Sequence, residues 1–79
     1  MQATINRKET RNHATTFGTL EDAAEFCECA AVGLGYVAGF GQFSWRHWLL
    51  VAQHCTRYVD GVLTFCASCD ELRYWAIRA

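Results

Sequence analysis

Residues 56–65 read Thr56-Arg57-Tyr58-Val59-Asp60-Gly61-Val62-Leu63-Thr64-Phe65, and this stretch decides the fold. Asp-Gly between two β-prone runs predicts a hairpin with a type I′ turn, because that turn requires positive φ at both central residues. Ser68 and Glu71 then have the spacing of a capping box, which predicts that a helix begins there. The end of the chain, residues 56–79, is therefore predicted to form a strand, a tight turn, a strand and a helix.

An earlier helix is predicted to begin after Thr19, which has the side chain of an N-cap residue and precedes the acidic pair Glu21 and Asp22. Apolar residues at helical spacing then predict the buried stripe Leu20, Ala23, Ala24, Cys27, Ala30 or Ala31, and Leu34. Gly33 and Gly35 are expected to end this helix.

The segment 35–54 is an apolar connection whose structure the pattern leaves open. Its run 48–52 is compatible with a buried strand, because periodicity does not separate the two structures over so short a length. We favour a helix capped by Ser44, since one helical side would continue the stripe Trp45, Trp48, Ala52, Cys55 and Val59.

The first part of the chain predicts a second hairpin, with strands at residues 3–5 and 13–17 and with Ile5 and Phe17 facing inward. Residues 1–34 and 55–79 would then each form a ββα unit, which suggests an internal repeat. Any hairpin followed by a capped helix has the same pattern, so the similarity of the two units does not require a repeat, and both explanations stay open. The fold class predicted for the single domain 1–79 is α+β, a small antiparallel sheet of two hairpins with two to three helices packed on one face.

Composition limits the function classes. Because 52% of the 79 residues are hydrophobic, part of this surface is expected at an interface with a partner or in a homodimer. The net charge of −1 does not favour direct contact with nucleic acid. No run indicates a secretory signal or a membrane span, and the odd number of cysteines then indicates free thiols in the cytoplasm.

Cys66 and Cys69, two thiols with two residues between them, are the strongest candidates in the sequence for redox or metal-binding chemistry. A thiol in the first turn of a helix favours the thiolate, so the pair could serve a small thiol-redox module. With His13, His47, His54 and the other cysteines it could instead serve a zinc-stabilised module. Packing as small apolar side chains explains the same residues. We predict no enzyme, no metal and no cofactor, and leave open whether Cys66 and Cys69 bind a metal or form a disulfide.

Two groups of residues are candidates for binding a partner protein. The first is an acidic helix face, which would aid association with a basic surface and set partner choice. The second is a set of aromatic residues that could serve as anchors. Together the candidate contact residues are Glu21, Glu25, Glu28, Tyr36, Phe40, Trp45 and Trp48.

The segment Thr16-Phe17-Gly18-Thr19-Leu20-Glu21-Asp22-Ala23-Ala24-Glu25-Phe26 resembles a hairpin-to-helix segment common in very small α+β proteins of phages and mobile elements. In size and general character the chain is most similar to the anti-CRISPR proteins. The resemblance implies a small inhibitor in the host cytoplasm that binds a CRISPR effector complex. It would block recognition of target DNA or recruitment of the nuclease, and no residue role is carried over from the family.

Overall fold

The computed structural model describes residues 15–78 as three helices and one small sheet. In chain order the elements are β1 (Thr16–Phe17), α1 (Leu20–Gly33), α2 (Trp45–Cys55), β2 (Thr56–Val59), β3 (Val62–Phe65) and α3 (Cys69–Ala76). The strands form an antiparallel sheet in the order β1-β3-β2. The α+β class is confirmed. The strand predicted at residues 3–5 and the start of its partner lie outside the described residues, so the first hairpin and the repeat stay predictions.

The hairpin of β2 and β3 forms as predicted. Asp60 has a φ of 53° and Gly61 a φ of 79°, the left-handed values that a type I′ turn requires. The two strands pair through all four residues of each. β1 joins the other side of β3, where Phe17 pairs with Leu63. The middle strand of the sheet is therefore the second strand of the hairpin.

The first helix, α1, has the predicted boundaries. The hydroxyl of Thr19 accepts a hydrogen bond from the Asp22 N–H at 3.1 Å. At the other end Gly35 has a φ of 79°, and the N–H groups of Gly35 and Tyr36 donate to carbonyls of the last turn. This is a Schellman motif, which turns the chain back along the helix.

The segment 45–55 is the helix α2, so the strand alternative for this segment is wrong. The hydroxyl of Ser44 caps it by accepting from the main-chain N–H three residues on. The helix passes directly into β2 at Thr56, whose hydroxyl donates to a carbonyl of the last turn at 2.7 Å. Val59 consequently lies in a strand and does not continue the helical stripe.

The last helix, α3, begins at the predicted capping box. The Ser68 hydroxyl accepts the Glu71 N–H at 3.1 Å, and the Glu71 carboxylate accepts the Ser68 N–H at 2.8 Å. A cap of this kind contributes about 1 kcal/mol to helix stability. Leu72 and Ala76 on this helix are buried in the core.

Within residues 15–78, Trp48 is the largest of the fully buried side chains, at 1% exposure. The rings of Phe43 and His47 lie beside it, with centroids 6.1 and 4.8 Å away. The other buried apolar residues are Ala23, Ala24, Cys27, Ala31, Val37, Val51, Ala52, Cys55, Leu63, Leu72 and Ala76. Within residues 15–78 no acceptor reaches the Trp48 indole N–H. Leaving such a donor unpaired costs about 1–3 kcal/mol, which the burial of the large ring offsets.

Three phenylalanines join the sheet to α1. Phe26 on the helix lies between Phe17 and Phe65 of the sheet, with ring centroids 5.4 and 5.1 Å away. The inward position predicted for Phe17 is confirmed, whereas Ile5 lies outside the described residues. The predicted buried stripe of α1 is wrong at its last member, because Leu34 follows the end of the helix and is 52% exposed.

Candidate functional site

The three glutamates predicted to contact a partner lie along α1 but differ in their surroundings. Glu21 and Glu25 are exposed, whereas Glu28 is half-buried. The Glu28 carboxylate accepts a hydrogen bond from the N–H of Gly41 at 3.1 Å. Glu28 therefore holds the loop that follows α1, and the exposed carboxylates of this face belong to Glu21 and Glu25.

The loop of residues 34–44 is folded back on α1 and has its own internal contacts. Val37 is buried in the core, and the Gln42 side-chain oxygen accepts the Ala38 N–H at 2.7 Å. Phe40 is 66% exposed and directly precedes Gly41, whose N–H donates to Glu28. The loop consequently presents one aromatic ring to solvent beside the glutamate face of α1.

The two tryptophans predicted as anchors have different roles. Trp45 stands at the start of α2 and is 45% exposed, so it is available to a partner. Trp48 lies in the same helical row as Ala52 and Cys55 and is buried with them. Trp48 is therefore a core residue and not a surface anchor.

Tyr36 is half-buried and connects the loop to the start of α3. Burial raises the pKa of its phenol above the ordinary value of 10.0, and the neighbouring Cys69 and Asp70 raise it further. The thiol of Cys69 is also a hydrogen-bond partner of the phenol. These contacts indicate a packing role for Tyr36.

Cys66 and Cys69 are both free and exposed, and they have different neighbours. Cys69 contacts Tyr36. Cys66 hydrogen-bonds to the guanidinium of Arg57, which raises the pKa of that guanidinium. The structure thus places each thiol of the predicted pair beside a different polar side chain.

A second thiol pair, Cys27 and Cys55, was not predicted from the sequence. Cys27 on α1 and Cys55 at the end of α2 are buried in the core, and their thiols share a hydrogen bond. That hydrogen bond and burial raise the pKa of the Cys27 thiol. The spacing of each stripe predicts that both residues face inward, but only the packing of α1 on α2 brings them together.

The zinc hypothesis finds no site in residues 15–78, where no three His, Cys, Asp or Glu side chains are close enough to hold a metal ion. His13, one of the hypothesised ligands, lies outside this range. None of the helices in the same range has the length and apolar character needed to cross a lipid bilayer.

A groove of about 380 Å³ lies between α2 and α3, and the sequence did not predict it. Two contacts fix its walls. The His54 ring stacks on Trp75, with centroids 3.6 Å apart, and the Nε2–H of His47 donates to the Ala76 carbonyl at 2.8 Å. The residues that line the groove are Ser44, Arg46, His47, Leu50, Val51, His54, Trp75 and Arg78.

One signal could have pointed to this groove. Arg46, Leu50 and His54 recur every four residues, so they lie on one side of α2, away from its buried row. That side combines basic groups with an exposed leucine. The contribution of α3, however, comes from a distant part of the chain and requires the packed structure.

Comparison of the chain with protein-family models, with curated proteins and with solved structures finds no match.

Proposed function

We propose that this protein is a non-enzymatic inhibitor that binds a subunit of a CRISPR effector complex in the host cytoplasm. It blocks target DNA recognition or nuclease recruitment by occupying a surface that the complex needs. The observation that carries the proposal is the hydrogen bond from the Gly41 N–H to Glu28, at 3.1 Å. It fastens the loop that bears Phe40 beside the face of α1 that carries Glu21 and Glu25.

The combination suits a protein interface. Phe40 is 66% exposed on a loop that is already fixed, so its ring can be buried by a partner with little loss of conformational freedom. Trp45, at the end of the same loop, offers a second ring. Exposed carboxylates beside such anchors mainly raise the association rate and select a basic partner.

The resemblance supplies the class of partner, and the charge of this surface agrees with it. CRISPR effector complexes hold the guide–target duplex in a positively charged channel. The exposed carboxylates of Glu21 and Glu25, on the helix to which the Phe40 loop is held, have the sign of charge that such a channel attracts. Binding there would exclude DNA by occupying the space, with no direct contact between this protein and nucleic acid.

The test measures the affinity of purified effector complexes for labelled target DNA with and without this protein. We expect wild-type protein to raise the apparent Kd for target DNA or to abolish cleavage by a recruited nuclease. Phe40→Ala should weaken the inhibition by about tenfold or more, as expected for an anchor residue. The double variant E21K/E25K should weaken it chiefly by slowing association.

Tyr58→Ala is the matched control, because Tyr58 is an aromatic residue that is 73% exposed on the hairpin. It should inhibit as well as wild type. If no effector complex in a panel of the known types co-elutes with the protein, the proposed partner is wrong. If Phe40→Ala and E21K/E25K both inhibit like wild type, the proposed surface is wrong.

A further inference from the structure

The groove between α2 and α3 uses none of the residues of the proposed inhibitory surface, and its charge is opposite. Arg46 and Arg78 line it, and so do the imidazoles of His47 and His54. Among residues 15–78, none of those that line it is acidic. In a chain of net charge −1, this local excess of cationic side chains favours an anionic ligand.

The groove also has an apolar floor. Val51 is buried beneath it, Trp75 is half-buried, and Leu50 is 52% exposed although it stands among the lining residues. A ligand that bears only charge would leave this surface in contact with water. The floor therefore favours a ligand that carries an apolar group between its charged groups.

The walls are fixed before any ligand arrives. His54 is held flat on Trp75 with 3° between the ring planes, and His47 is held by the Ala76 carbonyl at 2.8 Å. Arg78 rests over the Tyr74 ring, with 4.3 Å from the guanidinium carbon to the ring centroid. A binder therefore meets a preorganised site and orders few side chains of the protein.

We propose that this groove binds an acidic peptide segment of a partner protein. Carboxylates on the two sides of a large apolar residue would pair with Arg46 and Arg78, since a guanidinium matches a carboxylate in a bidentate pair. The apolar side chain would cover Leu50 and Trp75. The inference does not rest on the proposed inhibitory function.

Two other occupants fit less well. A second copy of this chain would offer Glu21 and Glu25 with Phe40 beside them, but these side chains stand on a rigid helix and a separate loop. Such a broad surface follows a groove of about 380 Å³ less closely than one extended segment does. A nucleic acid strand needs cationic groups along an extended path, whereas Asp70 and Glu71 stand exposed at the start of α3.

The test is a titration of the isotope-labelled full chain, followed by amide and indole NMR signals. The probe is an acetylated peptide amide with the sequence Glu-Glu-Leu-Phe-Glu-Glu. Two matched peptides replace every Glu by Gln or replace Leu-Phe by Ser-Ser, and a short oligothymidylate represents nucleic acid. We expect the first peptide to shift the signals of Leu50, His54 and Trp75, and each altered peptide to bind about tenfold more weakly.

Variants of the protein complete the design. Arg46→Glu and Leu50→Ser should each lower the affinity for the first peptide about fivefold or more, with unchanged melting because both residues are exposed. Arg73→Glu, on α3 outside the groove, is the control and should bind normally. The inference is overturned if no groove signal moves at millimolar peptide, if the Gln peptide binds equally, or if the oligothymidylate binds more tightly. Groove signals that move with protein concentration alone would assign the groove to a second copy instead.

Discussion

The imidazole of His54 lies flat on the indole of Trp75, with ring centroids 3.6 Å apart and planes 3° from parallel. These residues stand on different helices, and the hydrogen bond from His47 to Ala76 joins the same two helices at 2.8 Å. The helix α3 has only eight residues, too few to be stable in isolation. Its position therefore depends on contacts such as this stack.

We expect His54→Ala to lower the free energy of unfolding by about 0.5–1.5 kcal/mol, the usual contribution of an aromatic pair. His54→Phe keeps a flat ring at the same position and should retain most of that stability. Urea denaturation of the three proteins, followed by the intrinsic fluorescence of the three tryptophans, checks this. Equal losses in His54→Ala and His54→Phe would show that stacking is not what stabilises the contact.

Substitution of Trp48 should have a large effect on stability, because it is the largest fully buried side chain of residues 15–78. Trp48→Ala should cost about 3–5 kcal/mol, because it leaves a cavity in the core where the ring is 1% exposed. The total free energy of unfolding of a domain this small is little larger than that cost, so the variant should be largely unfolded. Circular dichroism at increasing urea measures the loss.

Trp48→Phe tests the unpaired indole N–H. It removes part of the ring but also the donor that finds no acceptor within residues 15–78, so the cost should stay below about 2 kcal/mol. Trp45→Ala is the control, since that residue is 45% exposed and should change stability by about 0.5 kcal/mol or less. Similar losses in Trp48→Ala and Trp48→Phe would contradict this account of the indole.

The cysteines should divide into two classes of reactivity. Cys29, Cys66 and Cys69 are exposed, whereas Cys27 and Cys55 are buried. Ellman's reagent should therefore modify three thiols quickly in the folded chain and all five after denaturation. Cys27 should be slow for a second reason: its hydrogen bond to Cys55 and its burial raise its pKa, which leaves little thiolate.

A variant with Cys29, Cys66 and Cys69 changed to Ala serves as the control for that experiment. It should show no fast phase in the folded state and two reactive thiols in denaturant. A fast reaction of all five thiols in the folded wild-type chain would mean that the packing of α1 against α2 opens readily.

Local signals were sufficient for much of the fold. The Asp60-Gly61 turn and the Ser68–Glu71 cap involve residues at most three positions apart, and both form as predicted. Their energetics are set within one turn of chain, so sequence spacing captures them. The predicted helix start at Thr19 succeeded for the same reason.

The candidate sites were less predictable because they depend on packing. Trp45 and Trp48 belong to one apolar stripe in sequence, and only the position of the neighbouring elements decides which one is buried. Glu28 and Gly41 meet because the chain reverses after α1. The groove depends on the stacking of His54 on Trp75, which lie on two different helices far apart in sequence, and no local spacing predicts that contact.

The turn at Asp60 and Gly61 offers a clean test of backbone strain. Gly61 has a φ of 79°, yet a Cβ built there would meet no atom within 4 Å. The cost of Gly61→Ala should therefore come from the left-handed conformation alone, about 1–2 kcal/mol. Gly39→Ala is the matched control, because Gly39 has the same open surroundings without a positive φ, so its cost should be a few tenths of a kcal/mol or a slight gain.

Thermal and urea denaturation of both glycine variants measure these costs. The loss of stability in Gly61→Ala should extend beyond the hairpin. The reason is that β3 is the middle strand and also holds β1 through the pairing of Phe17 with Leu63. Hydrogen exchange at Phe17 and Leu63 should then speed up together in Gly61→Ala. If Gly61→Ala and Gly39→Ala melt alike, the turn does not need its left-handed geometry, and the register of the sheet is set by the packing of Leu63 and Phe65 instead.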